Sequence, residues 1–282
     1  MKLCRFTEGN VTRIGKVVAD QVIDLSRVPG VGASMRELLT DLTALRQSIH
    51  EAQGPAYPLE RVRLAAPIAD PQKYLAIGMN YQAHAKEAAA AGFPVPTSQL
   101  WFNKQVSCIN GPYDLIELPR VSDKLDYEAE LAFVIGRRCR HVSVKDARSV
   151  VAGYLVSNDV SVRDWQARSP TFTLGKSFDT HGPIGPWITT DDEIVDPHAL
   201  LMRLTVNGEE RQRSSTGDMI YNIFDQIAYL STVMTLEPGD LIATGTPSGV
   251  GVASNRFLKV GDVVRVEIEH LGAIENRVQA EA

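Results

Sequence analysis

Two stretches constrain this chain more than any others: "DYEAELAFVIG" (126–136) and "VVAGYLVSNDV" (150–160). Each holds an apolar run suited to a buried strand, and each sets carboxylates at one end, before the run in the first and after it in the second. Alternate residues of a strand face opposite sides, so the unbroken "LAFVI" after Glu130 belongs to a strand covered on both faces. In an extended chain Asp126, Glu128 and Glu130 share one side, and Tyr127, Ala129 and Leu131 the other. Two glutamates about 7 Å apart on one side repel once water is removed. Burying either without a partner costs several kcal/mol. They are therefore solvated, paired with cations, or bound to a metal. Lys124 and Arg137 lie close enough in sequence to make a wet strand end. The second run ends in Asn158 and Asp159, which adds a third carboxylate. Three hard oxygen ligands with no His or Cys at metal spacing nearby suit Mg²⁺, Mn²⁺ or Ca²⁺ rather than Zn²⁺. Asp159 alone is also an ordinary turn or cap residue, and on the residues alone both readings stand.

Around these two runs the pattern is mainly strands. "YLAIG", "GPWITT", "LLMRLTVNGEER", "DLIATG" and "VVRVEIEHLGAIENRV" read as strands, with Asn207-Gly208 as a hairpin turn. "NYQAHAKEAAAAG" and "MIYNIFDQIAYLSTVM" read as helices. The N-terminal stretch alternates as short strands ("LCRF", "GKVVAD", "QVIDL"), and "SMRELLTDLTALRQSIHEA" follows at helical spacing with Ser34 as N-cap. Gly54, Pro55, Pro58, Pro67 and Pro71 crowd together after it. They predict a boundary near residue 66, with a small α+β domain over 1–66 and a larger domain over 67–282. The fold class expected is α+β, mostly β, a mixed β-sandwich or roll rather than repeated βαβ units.

Composition removes several classes of function. A net charge of −5 and no Lys/Arg stripe give nucleic acid no footprint, and no apolar run is long enough to span a bilayer. The N-terminus lacks a signal-peptide pattern, so a cytoplasmic protein is expected. Cys4, Cys108 and Cys139 are too far apart for a CxxC motif and predict free thiols. "GKS" at 175–177 is not a phosphate loop, because Pro170 stands where that motif needs glycine. Thr246 likewise breaks the serine-hydrolase elbow before Ser248. One further constellation remains. His84 and Glu87 stand at i and i+3 of a helix, where the carboxylate can orient the imidazole; on a surface helix such a pair is equally an ordinary solvated one.

In order, "IGMNYQAHAKE", "FNKQVSCINGP", "DYEAELAFVIG", "GYLVSNDVSVRDWQ", "GKSFDTHGPIGPW" and "PGDLIATGTPSGVG" resemble the fumarylacetoacetate hydrolase family over about residues 72–268. The resemblance implies that family's mixed β-sandwich roll and a homodimer. It implies Glu128, Glu130 and Asp159 as ligands of Mg²⁺ or Mn²⁺, and His84 and Glu87 as a lid dyad that activates water. Lys176 would support charge developing on the substrate. Lys104 would be a second pocket lysine, and Arg163, Gln166 and Thr246 would contact a small oxo-acid. The activity implied is hydrolysis of a C–C bond in a 2,4-diketo acid, of acylpyruvate or diketo-deoxy sugar acid type, to pyruvate and a carboxylic acid. The same family holds hydroxymuconate-type isomerases and oxaloacetate decarboxylases on the same metal site.

Overall fold

The structure is a computed structural model and describes residues 1–90, 92 and 94–282. Its centre is the pair predicted to be buried. Ala129–Ile135 and Val151–Asn158 are buried at every residue and run antiparallel, with Ala129 opposite Asn158 and Phe133 opposite Tyr154. On the other side of Ala129–Ile135 lies Leu241–Ala243, antiparallel to it, then Tyr74–Gly78, parallel to Leu241–Ala243, and Leu100–Lys104 at the edge. Beyond Val151–Asn158 the same sheet continues through Gly182–Thr190, Lys2–Glu8, Val11–Val18 and Gln21–Asp24 to Ala56–Pro58. The fold is mostly β with mixed sheets.

The apolar run is unbroken because two different layers cover it. Ala129, Leu131, Phe133 and Ile135 pack with Met202, Leu204, Val264, Val266 and Ile274 of a second, five-stranded sheet. Ala132 and Val134 face the other way, into a cluster with Leu3, Met35, Leu38 and Leu39 from the N-terminal segment. Each fully buried Leu, Ile or Phe on either face adds about 1.5–3 kcal/mol. The first 66 residues thus continue the central sheet and roof one of its faces.

The expected helix after Ser34 divides in two, Met35–Thr40 and Leu42–Glu51. Ser34 caps the first through a capping box with Glu37. The break falls where Thr40 Oγ1 donates back to the Arg36 carbonyl at 2.9 Å and Asp41 leaves helical geometry at φ −108, ψ 12. The other two expected helices form as Gln82–Ala90 and Ile223–Val233. The Asn207-Gly208 turn joins Leu201–Val206 to Glu209–Ser215. All three cysteines are free and buried. No helix among the described residues is long and apolar enough to cross a membrane.

Candidate metal centre and active site

Strand register builds the site. Because Ala129 pairs with Asn158, the start of one central strand meets the end of the other, and Asp159 N donates to the Glu128 carbonyl at 2.9 Å. Leu241–Ala243 delivers Thr244, Gly245 and Thr246 to the same end, where Gly245 N donates to Glu130 Oε2 at 2.8 Å. Gly245 has φ +92, and a Cβ there would come within 2.8 Å of Asn80 Cβ, so this approach requires glycine. Glu128, Glu130 and Asp159 are all buried, and oxygens from the three lie within 4.8 Å of one another.

Cations surround two of the three. Lys176 Nζ donates to Glu128 Oε2 at 2.8 Å and to Asp159 Oδ2 at 2.7 Å. Arg163 Nη1 meets Glu128 Oε1 at 2.7 Å. Lys104 Nζ donates to Asp159 Oδ1 at 2.6 Å, to the His181 carbonyl at 3.0 Å and to the Lys176 carbonyl. Burial would lower the Lys104 ammonium, but Asp159 outweighs it and holds it above its ordinary value. Burial would likewise raise the Glu128 carboxyl, and Lys176 and Arg163 instead bring it down to about 2. Glu130 pairs with no cation among the described residues. Burial, and then the charges of Asp159 and Glu128, push its carboxyl well above the usual range. Three hard oxygen donors, one of them lacking positive charge, fit a divalent metal.

The helix Gln82–Ala90 sets the dyad beside this centre. His84 Nδ1 and Glu87 Oε2 are 3.0 Å apart, and Glu87 Oε1 accepts from Gly249 N at 3.3 Å. Burial would raise Glu87, yet its bonds from His84 and Gly249 hold it below the ordinary carboxyl value. A carboxylate acceptor assigns the proton to Nδ1 and leaves the Nε2 lone pair as a base. The Gly249 carbonyl in turn accepts from Tyr127 Oη at 3.2 Å, so the helix is joined through Gly249 to the residue that precedes Glu128. Asn80 ties the start of this segment to the Thr244 carbonyl at 2.8 Å and to the Tyr221 carbonyl at 3.0 Å.

The other candidates fall at different depths. Gln166 Oε1 accepts from Arg163 Nη1 at 2.9 Å, and Thr246 Oγ1 pairs with Gln212 Nε2 at 2.9 Å beside Gly245. Lys104 lies behind Asp159 with 0% of its side chain exposed, its ammonium enclosed by Asp159 and backbone carbonyls. Asp126 departs from the alternation expected for one continuous strand. Leu125–Asp126 pairs with Ser161–Val162 as a separate ribbon, Tyr127 and Glu128 interrupt the strand, and Asp126 turns to Arg163. Two supporting residues escape the sequence reading. Asn158 Oδ1 accepts from Glu128 N at 3.0 Å, and its place beside Asp159 is a signal. Gln212 Oε1 accepts from Ala129 N at 2.9 Å across 83 residues of chain, and nothing local marks it.

Residues 73–279 match the family profile described as Fumarylacetoacetate (FAA) hydrolase C-terminal. The chain belongs to the fumarylacetoacetate hydrolase family. Within that family it is 43% identical over 290 residues to the mitochondrial oxaloacetate tautomerase fahd2 of Xenopus laevis, a match covering 99% of this chain and 90% of that protein. The maleylpyruvate hydrolase of Sphingobium sp. SYK-6, solved with manganese(II) and pyruvate, superposes with a TM-score of 0.86 at 35% identity over 100% of both chains. The 5-carboxymethyl-2-hydroxymuconate delta-isomerase of Mycobacterium smegmatis superposes with a TM-score of 0.81 at 34% identity, again over 100% of both chains.

Lys176 supplies a test of this charge arrangement that needs no turnover. In the presence of chelator, Lys176→Met leaves Glu128 and Asp159 short of a shared cation, and the loss expected is about 3–5 kcal/mol, as for other buried pairs that lose one partner. Added Mn²⁺ should then raise the melting temperature of the variant more than that of the wild type. Equal melting temperatures in chelator would refute the arrangement.

Proposed function

We propose that this protein is a divalent-metal-dependent enzyme that interconverts the keto and enol forms of an oxaloacetate-like 2-oxo diacid. The observation that carries the reading is the His84–Glu87 dyad, joined through Gly249 to the strand end that carries three buried carboxylates fit for a divalent metal. A cation held by Glu128, Glu130 and Asp159, Mg²⁺ or Mn²⁺ by the chemistry of the donors, supplies Lewis-acid charge that steadies an enolate. His84 Nε2 takes the proton from the carbon beside the ketone, and the electron pair of that C–H bond becomes the enolate. Returning the proton to the enolate oxygen gives the enol, and the reverse steps give the ketone. Glu87 steadies the imidazolium between the two transfers. Arg163, Gln166 and Thr246 line the place where the oxo-acid binds. The likeness to oxaloacetate tautomerase over nearly the whole chain supports the substrate class.

A second reading, hydrolysis of acylpyruvates or other 2,4-diketo acids, is favoured by the same dyad and by the likeness to a maleylpyruvate hydrolase solved with manganese(II) and pyruvate. In that reaction His84 takes a proton from water, the water oxygen bonds to the distal carbonyl, and the C–C bond breaks. Its electron pair stays with the pyruvate fragment, which is then protonated. A cytoplasmic homodimer is the working form of the proposal, and light scattering tests the dimer. The deciding assay follows oxaloacetate enol absorbance and pyruvate release with Mg²⁺ or Mn²⁺, beside a panel of acylpyruvates and diketo-deoxy sugar acids. Faster keto–enol exchange without matching pyruvate release is the expected result. Greater kcat/KM for pyruvate release from a diketo acid would put hydrolysis first, and no metal-dependent acceleration on any of them would overturn both readings.

A further inference from the structure

Asp126 is 0% exposed and has no place in the three-carboxylate cluster, yet it is one of the most heavily bonded side chains near the site. Its Oδ1 accepts from Tyr127 N at 2.8 Å and Gly251 N at 2.7 Å, and its Oδ2 accepts from Val252 N at 2.9 Å and Arg163 Nε at 2.7 Å. Room for that carboxylate depends on Gly251, where a Cβ would stand 2.4 Å from Oδ1. The carboxylate is thereby fixed by backbone on two sides before it meets Arg163.

Arg163 takes its orientation from this anchor. Its Nε is held by Asp126, and its Nη1 is shared between Glu128 Oε1 at 2.7 Å and Gln166 Oε1 at 2.9 Å. Its Nη2 is buried and has no hydrogen-bond partner among the described residues. A guanidinium presents its donors as a rigid planar fork, so fixing Nε and Nη1 fixes the direction in which Nη2 is offered. Buried N–H groups are normally satisfied, and a carboxylate oxygen is the strongest common acceptor for a single guanidinium N–H.

We propose that Asp126 is a positioning residue that sets substrate specificity, holding Arg163 so that its unpartnered Nη2 donates to the second carboxylate of a dicarboxylic 2-oxo acid. The inference rests on the reading of the site as one for 2-oxo diacids, and it assigns the groups that recognise the second carboxylate. Glu128 and Asp126 then play unlike parts despite their spacing: one faces the metal centre and the other aims the guanidinium between them.

The test reads binding and not turnover. Mn²⁺-loaded protein is titrated by calorimetry with pyruvate and with 3,3-difluoro-oxaloacetate, a diacid that cannot enolise. Wild type should favour the diacid, and Asp126→Asn should lower that preference by about ten- to a hundredfold, the range usual for residues that orient a binding group. In an Arg163→Ala background the Asp126 substitution should change the preference no further, because it acts through the guanidinium. Asp126→Ala is the sterner variant; should it fail to fold, the near-isosteric Asp126→Asn carries the whole cycle. Equal weakening of both ligands by Asp126→Asn, additive losses in the double variant, or no preference for the diacid in wild type would each overturn the proposal. A wild type that favours the diacid but does not accelerate oxaloacetate enolisation would overturn the tautomerase reading and leave Asp126 in its role.

Discussion

Glu130→Gln is expected to lower the affinity for Mn²⁺ by on the order of a hundredfold or more, above the usual loss for removing a residue that merely supports a ligand, while leaving the metal-free protein at least as stable as wild type. Both halves follow from one carboxyl. Glu130 is buried, accepts from Gly245 N, and is pushed well above its ordinary value of 4.5 by burial and by Asp159 and Glu128. A raised carboxyl in the folded state costs stability as pH climbs through 4.5, because the unfolded chain releases that proton while the folded chain keeps it. Glu128 has the opposite sign. Lowered to about 2 from 4.5, it adds stability above 4.5 that is lost as pH falls from there toward 2. Glu128 therefore contributes to the acid limb of unfolding, and Glu130 to a decline in stability as pH rises above 4.5. Unfolding of chelated protein followed upward from pH 4.5 should show that decline in wild type and a flatter profile in Glu130→Gln. Calorimetric titration with Mn²⁺ gives the affinity. Identical profiles together with unchanged affinity would remove Glu130 from the metal centre.

The strands that carry the carboxylates are legible in the sequence because their environment leaves a local mark. A strand covered on both faces must be apolar throughout, so a carboxylate appearing at its end stands out, and Glu128, Glu130 and Asp159 are visible for that reason. What covers the strand is not legible. Leu38 and Leu39 pack into the cluster of Ala132 and Val134 only after the chain has crossed from the first segment back to the centre, and no periodicity records that docking. The division of the 34–52 helix depends on a competition at Thr40 and Asp41 that a hydrophobic pattern overlooks.

The site divides in the same way. His84 and Glu87 show themselves by spacing on one helix, whereas Gln212 joins Ala129 N to Thr246 from a distant hairpin and has no sequence signature. Asp126 misleads for a physical reason. Alternation assumes an unbroken strand, and here Tyr127 and Glu128 separate a two-residue ribbon from the central strand. Lys104 shows the limit of resemblance alone: the position is a lysine close to the centre, but its ammonium is spent on Asp159 and on carbonyls.

The largest expected effect on turnover is that of His84→Ala, on the order of a hundredfold or more in any step that moves a proton, in line with usual general-base contributions. Keto–enol exchange and acylpyruvate hydrolysis both need such a base, at carbon in one and at water in the other. Decarboxylation of oxaloacetate needs chiefly an electron sink and no base, so it should survive the substitution or take a larger share of product. Glu87 sharpens the distinction. Burial opposes its ionisation, but the bonds from His84 and Gly249 keep it a carboxylate, so it can steady the imidazolium through neutral pH. Glu87→Gln keeps a group able to orient the ring and loses the charge, and its activity should fall between wild type and His84→Ala. Enol absorbance and pyruvate release are to be followed in parallel for the three proteins at saturating Mn²⁺. A parallel collapse of decarboxylation would mean that the substitution damages the metal centre, which Mn²⁺ titration of the variant reports directly. If His84→Ala exchanges and cleaves as fast as wild type, the dyad is an ordinary helix-face pair, and the chemistry of this site is electrophilic catalysis without a protein base.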